Sequence, residues 1–94
     1  MCTILLVDDE KRMLDLLELY LSPQGYHCVK CESGLSAIQY LENNKADLVL
    51  LDIMMAEMDG WETCRRMREI SDIPIIMVTA RDQTFDIVKG LKLG

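Results

Sequence analysis

The strongest constraint on what this chain can become is a change of period, repeated four times along its length. Short, nearly continuous apolar runs, "TILLVD" (3–8), "YHCVKC" (26–31), "DLVLLD" (47–52) and "IPIIMVT" (73–79), alternate with stretches whose apolar residues recur at helical spacing. An uninterrupted apolar run suits a strand buried on both faces, whereas apolar residues three and four apart make one stripe of a helix. After the first run, Met13, Leu16, Leu17, Tyr20 and Leu21 form such a stripe, which Pro23 and Gly25 end. Leu35, Ala37, Ile38 and Leu41 make the buried side of a second helix, with Ser33 as its N-cap. A third helix is expected from about Gly60 to Ile70, capped by Asp59 and facing inward through Cys64 and Met67. Pro74 sits at the start of the fourth strand, where a missing N–H is tolerated, and "DQTFDIVKGLKLG" (82–94) reads as a fourth helix.

Strict strand–helix alternation implies right-handed βαβ units and a parallel sheet covered on both faces, that is, an α/β doubly wound domain. The 94 residues make one such domain, spanning 1–94. In these sheets the ligand site lies beyond the carboxyl ends of the strands. Here the first, third and fourth strands end in "VDDE", "LLDI" and "MVTA", which bring Asp8, Asp9, Asp52 and the hydroxyl of Thr79 to one rim. Asp52 is the odd residue, because a carboxylate ending an apolar run is costly to desolvate without a partner. If strands one and three are neighbours, their ends lie about 5 Å apart and the carboxylates crowd one volume. Like charges so close raise a pKa or recruit a cation, and an all-oxygen cluster without histidine or thiolate suits Mg2+. Thr79 would hydrogen-bond an anion joining that cation, such as a phosphoryl group carried by Asp52 as an aspartyl-phosphate.

The net charge of −6 argues against direct nucleic-acid contact. No apolar stretch approaches the roughly 18 residues of a membrane span, and the N-terminus lacks the basic region of a signal peptide, so a soluble cytoplasmic protein is expected. Cys28 and Cys31 have C-x-x-C spacing, but both fall in a strand and three residues apart point to opposite faces, so they read as structural thiols, as do Cys2 and Cys64. His27 reads as a surface strand residue, and "CRRMRE" as a solvated helix face.

Taken together and in this order, "ILLVDDE", "LLDIMMAEMDG" and "IPIIMVTA" resemble the receiver domain of two-component response regulators, with the match running the whole chain. The resemblance implies a flavodoxin-like sheet of strand order 2-1-3-4. It implies that Asp52 accepts a phosphoryl group from the phosphohistidine of a sensor histidine kinase. It further implies Mg2+ held by Asp8, Asp9, Asp52 and the main-chain carbonyl of Met54, Thr79 as the switch hydroxyl, and Ala80 as the small residue beside the phosphate. The domain would act as a signalling switch rather than an enzyme, controlling an output domain that is commonly DNA-binding.

Two departures stand out. Ala56 occupies a loop position that is usually proline in the family, at an expected cost of under about 1 kcal/mol through unfolded-state entropy. The family also continues into a fifth strand, with a lysine for the phosphoryl group, and a fifth helix. The chain therefore reads as a truncated receiver, for which Lys89 and Lys92 are no substitutes. An exposed fourth strand and fourth helix would then favour a homodimer or domain-swapped dimer.

The alternative reading is a Mg-dependent aspartyl-phosphate phosphohydrolase. Such an enzyme wants an acid two residues after the nucleophile, where this chain has Met54. A nucleotide-binding module would want a glycine-rich turn after strand one, and "VDDEKR" contains no glycine.

Overall fold

β-branched and leucine-rich runs become strands where both faces find cover, and the amphipathic stretches between them become the covering helices. In the computed structural model, which describes residues 1–78, these are β1 (Thr3–Val7), α1 (Lys11–Leu21), β2 (His27–Cys31), α2 (Gly34–Asn43), β3 (Leu48–Asp52), α3 (Gly60–Ile70) and β4 (Ile75–Val78). Thr79, Ala80 and the expected fourth helix lie outside the described residues. The strands form one parallel sheet in the order β2-β1-β3-β4, as expected for this fold class. β1 is flanked on both sides, and Ile4, Leu5, Leu6 and Val7 are buried in succession. β4 alternates instead, with Ile75 and Met77 buried and Ile76 and Val78 at the surface.

Among the described residues, the two faces of the sheet are unequally covered. The larger core packs Leu5, Val7, Val49, Leu51, Ile75 and Met77 of the sheet against Ala37 and Ile38 of α2 and Cys64 and Met67 of α3. On the opposite face, Ile4 and Leu6 meet Leu14 of α1, with Leu17, Leu21, Leu48 and Leu50 around them. Cys31 belongs to the first core and Cys28 lies against the second, as their spacing on a strand requires.

Helix ends follow local chemistry. The Ser33 hydroxyl accepts the Ser36 N–H at 3.1 Å, and the Asp59 carboxylate accepts the Glu62 N–H at 2.9 Å. After α1 the chain tightens into a 3-10 turn at Ser22–Gln24 that contains Pro23, and Gly25 leaves it at φ 94°, a left-handed conformation that favours glycine. His27 is exposed on β2, and Arg65 and Arg66 of α3 are exposed beside Glu62, so both surface readings hold.

Three side chains differ from expectation. Leu16 and Tyr20 are 44% and 68% exposed, whereas Leu14 is buried. The inward stripe of α1 is buried Leu14 with partly buried Leu17 and Leu21, so the helix is rotated from the expected stripe, which shares Leu17 and Leu21 with it. Leu35 is 55% exposed because its neighbour Gly34 takes the inward position, against Thr63 of α3.

Gly60 fixes how α3 leaves the acceptor loop. Its N–H donates to the Ile53 carbonyl at 2.9 Å, and a methyl group there would overlap the Asp52 carbonyl, Ile53 Cα and the Met77 side chain. Two of those neighbours are backbone and cannot swing aside. Gly60→Ala is expected to destabilise the chain by about 2 kcal/mol, measured by urea denaturation monitored by circular dichroism.

Candidate functional site

Parallel pairing sets Val7 of β1 level with Leu51 of β3, and Asp52 level with Val78 of β4. The residues that follow Val7 and Leu51 therefore emerge side by side at the carboxyl rim. Asp8, Asp9 and Asp52 each offer a carboxylate oxygen there, and these three atoms lie within 4.8 Å of one another. Asp8 and Asp52 are half-buried and Asp9 is exposed. Along β3, Asp52 shares parity with Leu48 and Leu50 and so lies on the face of the sheet that packs against α1.

Each of the three carboxylates accepts a backbone N–H. Asp8 Oδ1 accepts the Glu10 N–H at 2.9 Å, Asp52 Oδ1 accepts the Met54 N–H at 3.3 Å, and Asp9 Oδ2 accepts the Ala56 N–H at 2.9 Å. These backbone donors offset only part of the negative charge. Burial, and next to it the Asp8 charge, pushes the Asp52 carboxyl up from 3.8 to about 6, against the opposing pull of the Met54 N–H. Asp8 is raised too, first by burial and then by the Asp9 and Glu10 charges, with the Glu10 N–H working the other way. Crowded acids that resist ionisation are a set of hard oxygen donors short of a cation, and the set fits Mg2+ better than a softer metal.

The three acids expected at the rim are thus brought together. Met54 is 52% exposed, next to the cluster, and lines two clefts that open beside it. Asp59 caps α3 and also borders one of these clefts. Three participants were not anticipated. Glu10 borders both clefts and adds negative charge to Asp8 and Asp52. Its place directly after two aspartates was the available signal. Trp61, at the start of α3, lines the cleft with Asp9 and Met54. The Ala56 amide is a donor to Asp9, and nothing in the residue type announces a backbone contact across 47 positions.

A doubly wound parallel sheet with a carboxylate cluster on its carboxyl rim defines an acidic-pocket α/β domain. The model of the response regulator receiver domain family matches residues 4–94, and the chain belongs to that family. It is 42% identical over all 94 residues to the sensory transduction protein RegX3 of Mycolicibacterium smegmatis, and spans 41% of that protein's length. Among solved structures, it is similar to the N-terminal domain of a response regulator receiver protein from Methanoculleus marisnigri, with 38% identity, 97% of this chain and 76% of that one covered, and a TM-score of 0.86. It is also similar to the response regulator TrrA of Thermotoga maritima, solved in complex with Mg2+ and BeF, with 34% identity, coverage of 92% and 76%, and a TM-score of 0.85. No helix among the described residues is long and apolar enough to cross a membrane.

Proposed function

We propose that this chain is a phosphoryl-accepting switch, with Asp52 as acceptor and a sensor histidine kinase as donor. The observation that carries the reading is the convergence of Asp8, Asp9 and Asp52 within 4.8 Å on the carboxyl rim of the sheet. A bound Mg2+ would neutralise the cluster and draw the phosphoryl oxygens toward it. Asp8, Asp9, Asp52 and the Met54 carbonyl are the groups that would hold it. An Asp52 carboxylate oxygen forms the new bond to phosphorus as the phosphorus–nitrogen bond of the phosphohistidine breaks, and the departing imidazole nitrogen takes the electron pair. The half-buried setting of Asp52 limits access of water to the resulting acyl phosphate. Thr79, one residue beyond β4, is the hydroxyl proposed to bond the new phosphoryl group and shift the fold between two states. Output control by an attached domain, with transcription as the regulated process, follows from the same reading, as does a cytoplasmic location. Met54, two residues after Asp52, has no proton to donate, which argues against the phosphohydrolase.

The test is incubation of the chain with a small phosphoramidate, with and without magnesium, followed by intact mass measurement. A gain of one phosphoryl group only with magnesium, released by hydroxylamine as acyl phosphates are, supports the reading. Labelling that ignores magnesium, or that resists hydroxylamine, contradicts it.

A further inference from the structure

The Ala56 amide is bonded to a group that the proposed metal needs. Asp9 is exposed, and an exposed aspartate has little to hold its carboxylate in one orientation. Here Oδ2 accepts the Ala56 N–H at 2.9 Å, a bond that fixes how the side chain is turned. A carboxylate has two oxygens, so one can stay on the amide while the other faces the cluster. Ala56 is also only four residues beyond Asp52, on the loop that carries Met54. The bond therefore ties the end of β1 to the loop leaving β3, and brackets the acidic cluster from both sides.

We infer that the Ala56 N–H is a positioning group for the divalent cation: it orients Asp9 and fastens the Met54-bearing loop before the ion arrives. This rests on the metal reading above and deepens it. The device depends on residue 56 not being proline, because proline has no N–H. Alanine at this position is thus more than a looser version of the usual proline; it substitutes a hydrogen bond for a ring constraint. Outer contacts of this kind commonly change metal affinity by about tenfold or more when removed.

Two substitutions separate the hydrogen bond from loop stiffness. Ala56→Pro deletes the donor and stiffens the loop, whereas Ala56→Gly keeps the donor and loosens it. Calorimetric titration of the whole chain with magnesium chloride is expected to show affinity about tenfold weaker in Ala56→Pro and within about threefold of the parent in Ala56→Gly. A second readout needs no metal: in the metal-free chain the Ala56 amide should exchange with solvent about tenfold more slowly than in Asp9→Ala. Parent-like affinity in Ala56→Pro, or loss that follows Ala56→Gly instead, overturns the inference while leaving the metal site intact. Absence of magnesium binding by the parent chain overturns both. If Ala56→Pro fails to fold, the amide comparison decides, and equal exchange rates in the parent and Asp9→Ala overturn the inference.

Discussion

Asp52→Asn will reduce magnesium-dependent labelling by a small phosphodonor by at least about a thousandfold, because the amide offers no anionic oxygen to attack phosphorus. The same change should leave the fold intact and make the metal-free chain more stable at neutral pH. Asp52 is half-buried beside Asp8, and ionising it there works against both burial and a like charge. Its folded pKa of about 6 lies above the ordinary 3.8, so between those values the folded chain binds more protons than the unfolded one. Stability of the metal-free chain therefore falls as pH rises through that window and levels off above it. Because the carboxylate is partly solvated, we expect a relief of about 1 kcal/mol in Asp52→Asn at pH 7.5, after discounting for screening. Opposite movements, labelling lost and stability gained, separate an acceptor from a structural acid. Removal of a structural acid would cost stability.

Magnesium will stabilise the parent chain, and will do so more strongly as pH rises. On the proposed reading the ion would bind the folded cluster and not the dispersed carboxylates of the unfolded chain. At a hundredfold excess over Kd this linkage contributes about 2.7 kcal/mol, which for a domain of this size raises Tm by about 10 °C or more. Below pH 5 Asp52 keeps its proton and competes with the metal, so the gain should shrink toward zero there; above pH 7 it should reach its full size. The sign is opposite to that of the metal-free chain, whose stability declines over the same interval. Melting curves at pH 5 and pH 7.5, with and without magnesium, check both halves. A magnesium effect independent of pH would contradict the assignment of the raised carboxyl to the metal site.

How much of this was legible beforehand depends on the range of the interaction involved. The period change from strands to helices is local, and it gave the element order, the caps at Ser33 and Asp59 and the rim position of Asp52. The doubly wound class followed from alternation alone, and the order β2-β1-β3-β4 from the resemblance. Rotation of α1 was misread because Leu14, Leu16 and Leu17 are all apolar, and only contact with Ile4 and Leu6 selects which of them faces inward. Leu35 was misplaced for a similar reason: the close approach of Gly34 to Thr63 is a contact between helices. At the site, residue types announced the carboxylates, but not the Ala56 amide, whose role is a backbone bond independent of its side chain. The Thr79 reading lies outside the described residues and stands on the sequence motif.

The most direct measurement is a crystal of the chain grown with manganese, a magnesium substitute whose anomalous scattering marks its position. The account predicts one strong peak at the carboxyl rim, within bonding distance of oxygens from Asp8, Asp9 and Asp52. A peak that touches only one strand end, or manganese bound elsewhere with the rim vacant, would contradict it.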